Sequence, residues 1–473
     1  MSDTEQNIKL FKEKMRSAGI HELVIDLFLY YYAQLTSGEN GCLPEADILP
    51  IKPGALTDYQ NLSGYSKQGE EALKHAAIIK LNGGLGTTMG LESPKGMLPV
   101  KDDFSFLDIS IKQVTVLNNR FNIKIPFILM NSFNTAVETG KILKKYPEIK
   151  TPLPSTFIQN KYPKIFQQSL QPASWPKRSA YEWNPPGHGD IYLSLFTSGI
   201  LKQLLDADIY YAFISNIDNL GATMDCSLLG YFASHNIPFM MEAIARTPMD
   251  KKGGHLAIRK NDNRLILREM AQTPEQEIPL FQDITRHCYF NSNNLWINLK
   301  NLGEVLDRNR RLYLPLIVNR KNLIPKNKNT PPVFQLETAM GSAISLFPGS
   351  EAVMVPGKRF IPVKKCADLL IVWSDYYTFL ENNEIILNPQ RTLPPIVVHL
   401  DEKYYGTYHQ MKERFAEPPS LLHCKSLSVE GDVRFGVNVR IKGEAAIKNR
   451  SGKQVFIQDG AVIEKEVDFY SCS

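Results

Sequence analysis

The chain has little of what marks disulfide-rich, metal-cluster or membrane-spanning proteins. Its 473 residues include six cysteines that lie far apart and form no CxxC pair: Cys42, Cys226, Cys288, Cys366, Cys424 and Cys472. Disulfide frameworks and cysteine-ligated metal sites are therefore disfavoured, and we expect reduced thiols. The first residues are polar without a signal-peptide core, and no apolar run approaches the roughly 20 residues that cross a bilayer. We expect a cytoplasmic protein without a membrane partner.

A long run of charge of one sign is also absent. The chain has 54 basic and 49 acidic side chains, which leave a formal net charge of +5. A nucleic-acid-binding protein typically shows a basic stripe or tail, so we expect no nucleic-acid partner. The small basic excess is compatible with anionic small-molecule substrates. The length predicts two or three domains.

From residue 76 onward, short apolar runs alternate with helix-like segments. The runs cover residues 76–81, 126–130, 210–215, 239–245, 295–299 and 368–373. This alternation predicts a largely parallel, twisted sheet with helices on both faces, and hence an α/β fold. In such sheets ligands bind beyond the carboxyl ends of the strands. Upstream, the three- and four-residue spacing of apolar residues from Ile20 to Tyr31 predicts a helix that ends before Gly38.

The C-terminal part has a different periodicity. Leu427, Val433, Val439 and Ala445 stand six residues apart, and Val429, Phe435, Ile441 and Ile447 repeat this spacing two residues on. After a polar insertion near residues 449–453, Ile457 and Ile463 resume the first register. A six-residue apolar period predicts a short β-helix. A small β-sandwich is the alternative, although a register that survives an insertion favours the β-helix.

The segment KLNGGLGTTMGLESPK (residues 80–95) carries the strongest chemical pattern. An apolar strand runs into a glycine-rich loop, whose backbone N–H groups can surround a phosphate, and a lysine follows. A tight turn without a ligand is the alternative. The segment is no Walker A loop, and the glycine spacing does not match the G-x-G-x-x-G dinucleotide fingerprint.

Four further segments carry polar groups where chemistry would be expected. Asp218 follows the run at 210–215, where a carboxylate suits Mg²⁺ bound together with substrate phosphates. His188 lies in a Pro- and Gly-rich loop and can donate to a sugar or phosphate oxygen. The amides of residues 291–294 can bind sugar hydroxyls, and Lys364 stands between apolar segments, where a partly buried lysine needs an anion.

Each of these four segments has an alternative interpretation when taken alone. An Asp that caps a turn, a solvated loop His and a cluster of turn-forming Asn residues are common features of loops. The lysine is equally compatible with an exposed edge strand.

Taken together, the segments resemble one enzyme family. The chain is similar to the UTP–glucose-1-phosphate uridylyltransferases (UDP-glucose pyrophosphorylases) of the eukaryotic type, in the order of their motifs and over nearly the whole length from about residue 76. The matching motifs are KLNGGLGTTMG with its following PK, FLD (106–108), LMNSFNT (129–135), PPGHGDIY (185–192), SNIDNLGAT (215–223), KGG (252–254), NNLWI (293–297), QLETAMG (335–341) and RFIPVK (359–364).

The resemblance implies a fold and an activity. The expected architecture is an N-terminal helical region at 1–74, a Rossmann-like nucleotidyltransferase core with a mixed, mostly parallel sheet at 75–395, and a left-handed β-helix at 396–473. The expected reaction transfers the uridylyl group of UTP to glucose 1-phosphate with Mg²⁺ as cofactor, giving UDP-glucose and pyrophosphate. Independently of the resemblance, the open end of the predicted β-helix would expose unpaired strand groups, so self-association through the C-terminal domain is expected. A pyrophosphorylase for N-acetylhexosamine or several sugars, or a catalytically silent sugar-nucleotide-binding protein, is the alternative.

The resemblance also implies residue roles. Lys364 and Lys95 are the expected catalytic residues, and Asp218 the expected Mg²⁺ ligand. The expected nucleotide-binding residues are Leu81, Asn82, Gly83, Gly84, Lys95, Met130, Gln159, Gly187, Asp218 and Lys364, with Gln159 and Gly187 on the uracil edge. The expected residues for glucose 1-phosphate are Gly83, Gly84, His188, Asn216, Ile217, Asp218, Asn293, Asn294 and Leu295.

The chain departs from the family pattern at two places. Gly96 follows the PK lysine where the family usually has serine, and Lys365-Cys366-Ala367 stands where Thr-Thr-Ser is common. The second departure puts an extra positive charge beside Lys364, which is expected to alter phosphate affinity.

Overall fold

The computed structural model describes residues 3–39, 41–309, 311–325 and 327–470, so Cys472 lies outside the described residues. The helices in chain order are α1 (Asp3–Ser17), α2 (Glu22–Ser37), α3 (Ser66–Ala72), α4 (Phe106–Phe121), α5 (Ala136–Leu143), α6 (Ile191–Thr197), α7 (Ile200–Asp206), α8 (Cys226–Ser234), α9 (Ile278–Phe281), α10 (Leu299–Asn309), α11 (Cys366–Trp373), α12 (Glu402–Tyr405) and α13 (Tyr408–Arg414). None of the helices in these ranges is both long and apolar enough to cross a bilayer.

Strands run through the whole length between these helices. In chain order they are β1 (Ile48–Pro50), β2 (Thr57–Asp58), β3 (Ala76–Asn82), β4 (Pro99–Lys101), β5 (Phe104–Ser105), β6 (Phe127–Asn131), β7 (Thr156–Ile158), β8 (Tyr162–Pro163), β9 (Ile165–Phe166), β10 (Trp183–Asn184), β11 (Tyr211–Asn216), β12 (Phe239–Ala245), β13 (His255–Arg259), β14 (Leu265–Arg268), β15 (Tyr289–Asn298), β16 (Leu316–Asn322), β17 (Pro332–Thr338), β18 (Glu351–Met354), β19 (Tyr377–Phe379), β20 (Ile385–Leu387), β21 (Val397–Leu400), β22 (Ser420–Glu430), β23 (Val433–Phe435), β24 (Arg440–Asn449), β25 (Val455–Ile457), β26 (Val462–Ile463) and β27 (Glu466–Phe469).

The largest sheet has the strand order β2-β18-β12-β15-β11-β3-β6-β7, and β13 connects β1 and β14 to β15. Neighbours along this order are parallel except at β15, which is antiparallel to both β11 and β12. The prediction of a mixed, mostly parallel sheet in an α/β fold is therefore confirmed. The register pairs Asn82 with Asn131 and Leu81 with Asn216, so β3, β6 and β11 end at the same edge.

Both faces of this sheet are covered, which is why its strands are continuous apolar runs. All residues of β3 are buried. Ile78 packs into a core with α4 and α8, whereas Ile79 and Leu81 pack into the core on the other face with α6, α7 and α10. This alternation follows from the two-residue side-chain period of a strand.

The two N-terminal helices pack against the core domain through aromatic side chains. The Phe28 ring lies 4.9 Å from that of Phe11 and 5.2 Å from that of Tyr162. Helix α2 ends at Gly38, which has a left-handed φ of 80° and donates its N–H to the Leu35 carbonyl. The helix predicted from the apolar spacing of residues 20–31 is thus confirmed, together with its glycine stop.

The C-terminal strands β21–β27 pair with one another in parallel. Leu427 is paired with Ala445, and Val429 with Ile447, so neighbouring strands are three six-residue steps apart in sequence. Every apolar residue of the predicted six-residue repeat is buried. Parallel stacking of this kind is typical of a solenoid and differs from the antiparallel pairing of a β-sandwich.

Two of the predicted strands are different in the structure. Residues 368–373 belong to helix α11, because Asp368 accepts the backbone N–H groups of Lys364 and Lys365 at 2.8 Å each and caps the helix. A short apolar run does not distinguish a strand from a buried helix. The run at 295–299 lies at the end of β15, which begins at Tyr289 with buried polar residues, and Leu299 already starts α10.

Candidate active site

A cleft of about 270 Å³ opens at the edge where β3, β6, β7 and β11 end. Its lining residues are Leu81, Gly83, Gly84, Lys95, Met130, Gln159, Pro185, Gly187, His188, Asn216, Ile217 and Asp218. All of them except Pro185 are candidate site residues from the sequence, and the structure brings them together from five separate segments. The position is the one expected for ligand binding in an open α/β sheet.

A second cavity, of about 250 Å³, lies on the other face of β3 and is lined in part by Lys80, Gln113 and Asp225. Lys80 Nζ donates to Ser215 Oγ at 2.8 Å and to the Ala222 carbonyl at 2.6 Å. Burial lowers the pKa of Lys80 to about 7. Because the glycine-rich loop opens to the first cleft, that cleft is the candidate site for a phosphate-bearing ligand.

The glycine-rich loop folds back on itself directly after β3. Lys95 donates its backbone N–H to the Gly84 carbonyl at 3.0 Å, so the lysine returns to the start of the loop. At Gly83, a Cβ atom would lie 2.6 Å from Nε2 of Gln159. Only glycine lets the Gln159 side chain come this close to the loop, which places a phosphate-type loop and a carboxamide in one cleft.

Lys95 and Asp218 form an ion pair at the phosphate end of the cleft. Lys95 Nζ lies 2.5 Å from Asp218 Oδ2, with side-chain exposures of 15% and 18%. The preceding residue, Ile217, donates its N–H to the Leu81 carbonyl at 3.1 Å and so fixes the loop after β11 to the end of β3. The pair offers a cation for phosphate oxygens and a carboxylate for a divalent metal.

The donor set suits Mg²⁺ when substrate phosphates supply further ligands. Within the described ranges, no three His, Cys, Asp or Glu side chains converge on a common metal position. Asp218 is a single carboxylate, and Mg²⁺ is commonly held by one or two carboxylates together with substrate phosphates. The residues present therefore fit this ion as a partner of a bound nucleotide.

His188 is a neutral donor on the wall of the cleft. Its Nδ1 accepts the Met340 N–H at 2.9 Å, and burial lowers its pKa to about 4. The proton of the neutral ring is therefore on Nε2. At the preceding Gly187, φ is +79° and a Cβ atom would lie 2.5 Å from the Thr338 carbonyl oxygen, so glycine is required.

Gln159 presents an amide that the protein itself leaves available. Its backbone N–H donates to the Asn131 carbonyl at 2.8 Å, and only 7% of the residue is exposed. The side-chain carboxamide has no hydrogen-bond partner among the described residues. An almost buried amide of this kind can pair with the polar edge of a ligand.

A known family has this arrangement of motifs. The sequence profile of the UTP–glucose-1-phosphate uridylyltransferase family matches residues 25–442. The chain belongs to this family. A Schizosaccharomyces pombe protein named probable UTP–glucose-1-phosphate uridylyltransferase is 38% identical over 417 residues, which cover 87% of this chain and 81% of that protein. An Encephalitozoon cuniculi UTP–glucose-1-phosphate uridylyltransferase is 39% identical over 415 residues, with the same two coverages.

Solved structures are similar over the whole length. A Trypanosoma brucei UDP-glucose phosphorylase is 41% identical with a TM-score of 0.90, covering 98% of this chain and 99% of that one. A mutant of the Leishmania major UDP-glucose pyrophosphorylase, solved in complex with UDP-glucose, is 38% identical, with a TM-score of 0.90 and the same coverages.

Lys364, described below, and four other residues for which the resemblance implies ligand roles do not line the cleft. Asn82 is buried, and its Nδ2 donates to Asn131 Oδ1 at 2.8 Å and to Thr139 Oγ1 at 2.9 Å. Leu295 is wholly buried in the core. The other two are Asn293, with a left-handed φ of 58°, and Asn294, which is wholly buried.

Asn294 belongs to a buried polar network that supports the segment before Lys364. Its Nδ2 donates to Glu242 Oε2 at 3.0 Å and to the Arg359 carbonyl at 3.1 Å. Glu242 is wholly buried and also accepts Arg359 Nη2 at 2.6 Å and Trp296 Nε1 at 3.0 Å. Removing one partner of a buried pair of this kind is strongly destabilising. The network ties the segment to β12 and β15.

Lys364 is neither partly buried, as expected for a lysine that binds an anion, nor on an edge strand, which was the alternative. Its side chain is exposed, and residues 359–365 form only an isolated bridge between Pro362 and Asn219. The reason is local: Pro362 has no N–H to give, and Asp368 takes the next two backbone N–H groups for the helix cap. Val363 donates its N–H to the Asp218 carbonyl at 3.2 Å, so Lys364 follows a residue bonded to the Asp218 loop.

Glu269 is a polar residue beside Lys364 that the sequence patterns did not indicate. A Cβ atom on Gly254 would lie 2.6 Å from the Glu269 carboxylate carbon, so the acid lies directly over the KGG motif. Burial raises the pKa of Glu269, and the positive charge of Lys364 partly opposes this. The glycine pair at 253–254 was the available sequence signal, because a glycine often marks a close approach.

Proposed function

We propose that this protein transfers the uridylyl group of UTP to glucose 1-phosphate, giving UDP-glucose and pyrophosphate. The observation that carries the proposal is the cleft that joins the glycine-rich loop, the Lys95–Asp218 pair and His188 in a chain of this family. A phosphate oxygen of glucose 1-phosphate attacks the α-phosphorus of UTP in line, and pyrophosphate leaves. The nucleophile is already an anion at neutral pH, so the reaction needs neither a general base nor a covalent intermediate.

Bringing two polyanions together is the main difficulty, and the chain's own groups address it by positioning and charge. The N–H groups of Gly83 and Gly84 surround phosphate oxygens, and Lys95 adds a positive charge on the same side. Asp218 would hold Mg²⁺, which when bound neutralises phosphate charge. Lys364 approaches the reacting phosphates from the neighbouring loop and stabilises the charge that develops there.

Glucose 1-phosphate is assigned to the side of the cleft formed by His188, Asn216 and Ile217. The Nε2–H of His188 donates to an oxygen of the sugar phosphate, because its Nδ1 is occupied by Met340. Asn293 is assigned to the glucose hydroxyls through its amide. Asn294 and Leu295 are wholly buried, and Leu295 pairs with both β11 and β12. Their side chains are committed to the Glu242 network and to the core, so they support the position of Asn293 rather than contact the sugar.

Uridine is assigned to the opposite wall, between Leu81, Met130, Gln159 and Gly187. Leu81 and Met130 supply apolar contact, and Asn82 holds the start of the loop through Asn131 and Thr139. The Gln159 carboxamide and the Gly187 backbone hydrogen-bond the polar edge of uracil. A base with a different edge leaves these groups unpaired, which is the strongest form of discrimination available to a polar site.

We extend the proposal to organisation and location. The boundaries 1–74, 75–395 and 396–473 divide the chain into three domains, and the C-terminal parallel coils form a left-handed β-helix. A cytoplasmic location is supported by the free thiols of Cys226, Cys288, Cys366 and Cys424.

Base selection provides the first test. UTP is expected to support UDP-glucose formation at least about a hundredfold better than ATP or CTP, measured as kcat/KM, because the wrong base leaves Gln159 and Gly187 unpaired. Gln159→Met, which keeps the length but removes the amide, should reduce this preference. Comparable turnover with ATP in the wild-type protein would refute the assignment of uracil to this wall.

Self-association through the C-terminal coils is the second prediction. Phe456 and Val462 are 45% and 46% exposed on the last coil. Within the part of the chain that the structure describes, strands β25 and β26 each pair with one neighbour. Such an open strand edge is a surface for pairing with another chain. Sedimentation equilibrium should show oligomers that Val462→Glu and Phe456→Glu dissociate.

Point substitution is preferred to truncation of the C-terminal domain. Leu427 packs in the same buried cluster as Ile78 of β3 and Phe213 of β11, so truncation would also disturb the core domain. Leu280→Glu, at a residue 42% exposed on α9, is the matched control and should leave the oligomers intact. A wild-type protein that sediments as a monomer at tens of micromolar rules out this role.

A further inference from the structure

Asp190 is a buried carboxylate for which the proposed reaction has no direct use. It is 5% exposed and accepts three donors: Asn160 N at 2.6 Å, Asn160 Nδ2 at 2.9 Å and Ser194 Oγ at 2.5 Å. Burial raises the pKa of Asp190 to about 6, while these hydrogen bonds oppose the shift. Among the described residues, the hydrogen-bond donors to this carboxyl group are all neutral.

The two segments that Asp190 joins both line the cleft. Asn160 directly follows Gln159, and Asp190 lies three residues after Gly187 in the same short loop. Each segment is bound separately to the core. The Gln159 N–H donates to the Asn131 carbonyl, and in the Gly187 loop the Pro186 carbonyl accepts the Thr338 N–H at 2.9 Å. Asp190 links them to each other.

We infer that Asp190 is a positioning residue for base recognition. By binding both the backbone N–H and the side-chain amide of Asn160, the carboxylate sets the distance between the Gln159 carboxamide and the Gly187 backbone. The inference rests on the proposed function, because that function assigns both groups to the uracil edge. Two hydrogen bonds to one planar edge require a fixed separation, so a small shift of either segment weakens both.

Asparagine at position 190 would keep the volume but not the geometry. Three donors converge on two carboxylate oxygens, whereas an amide offers one oxygen and places its NH₂ group against another donor. The Asn160 segment can relieve this contact by moving away from the Gly187 loop, or by turning its carboxamide over, which removes the donor that Asn160 Nδ2 gives to Ser194 Oγ. Catalytic groups at the phosphate end, such as Lys95, are held by other bonds and should stay in place.

The test compares UTP with CTP, which carries an amino group where uracil has a carbonyl. For Asp190→Asn, kcat/KM for UTP should fall about tenfold, and the UTP:CTP ratio of kcat/KM should fall by a similar factor. The kcat at saturating UTP should change only a few-fold, because the phosphate end is intact. Calorimetric binding of UDP and CDP should show the same loss of preference without any turnover.

Asp375→Asn is the matched control. The Asp375 carboxylate also accepts three donors, from Ser420 Oγ at 2.5 Å, Leu421 N at 2.8 Å and Leu422 N at 3.0 Å, at a position outside the cleft. A comparable loss of melting temperature is expected there, with an unchanged UTP:CTP ratio. A general loss of stability is thereby separated from a loss of base selection.

Asn160→Ala provides a second variant that keeps the Asp190 carboxylate and removes one donor. It should lower the UTP:CTP ratio in the same direction but less, and it decides the question if Asp190→Asn fails to fold. Active variants with the wild-type ratio would overturn the inference. A wild-type protein that makes no UDP-glucose would instead contradict the proposed function. The role of Asp190 would then still be tested by comparing the binding of UDP and CDP to the wild-type protein and to the variants.

Discussion

Replacing Lys364 by methionine is expected to lower turnover about a hundredfold or more, the scale of losing one preorganised contact to the transition state. The substitution keeps the length and removes the charge that we assign to the reacting phosphates. Lys365→Met should change turnover only slightly. Lys365 Nζ lies 3.5 Å from Glu402 in helix α12, whereas Lys364 Nζ lies 5.9 Å from the centre of the Phe360 ring. Neighbouring lysines thus face different parts of the molecule.

Both Lys364→Met and Lys365→Met should melt close to the wild-type temperature, because exposed lysines contribute little to stability. Steady-state rates at saturating UTP and glucose 1-phosphate, with melting curves alongside, measure the difference. The reverse order of activities would assign the catalytic charge to Lys365. Two active variants would place it elsewhere, most directly on Lys95 in the cleft.

A second large effect is expected at Asp218. Asp218→Asn removes the carboxylate that we assign to Mg²⁺, and turnover should fall about a hundredfold with a higher Mg²⁺ concentration needed for half-maximal rate. EDTA should abolish the wild-type activity. Initial rates across a Mg²⁺ series measure both quantities.

The matched control for Asp218→Asn is Asp262→Asn, which breaks a surface ion pair of 2.6 Å with Arg259. That variant should keep the wild-type rate and Mg²⁺ dependence. A near-normal rate for Asp218→Asn at low Mg²⁺ would mean that the metal is held by other groups.

The cleft was the most predictable part of the molecule from sequence. Leu81, Asn216 and Asp218 lie where buried strands end, and parallel strands bring their carboxyl ends to one edge regardless of what separates them in the chain. The six-residue repeat was equally readable, because each apolar position points inward in every coil. These features depend on local periodicity, which a sequence displays directly.

The features that could not be predicted from the sequence depend on contacts between residues that are distant in the chain. Asp190 is functional in our account only because Asn160 lies against it, and Asn294 is committed to Glu242 and Arg359 rather than open to a ligand. The run at 368–373 was expected to be a strand, but the cap supplied by Asp368 turns it into helix α11. Short apolar runs carry no period that distinguishes the two outcomes.

Pyrophosphate release from UTP and glucose 1-phosphate is the direct assay of the proposed reaction. The purified chain with Mg²⁺ should release pyrophosphate in step with UDP-glucose, and added pyrophosphate should drive the reverse reaction, because one phosphoanhydride replaces another. N-acetylglucosamine 1-phosphate in place of glucose 1-phosphate should give little product. A folded protein that binds UDP-glucose yet releases no pyrophosphate would contradict the account and identify a sugar-nucleotide-binding protein instead.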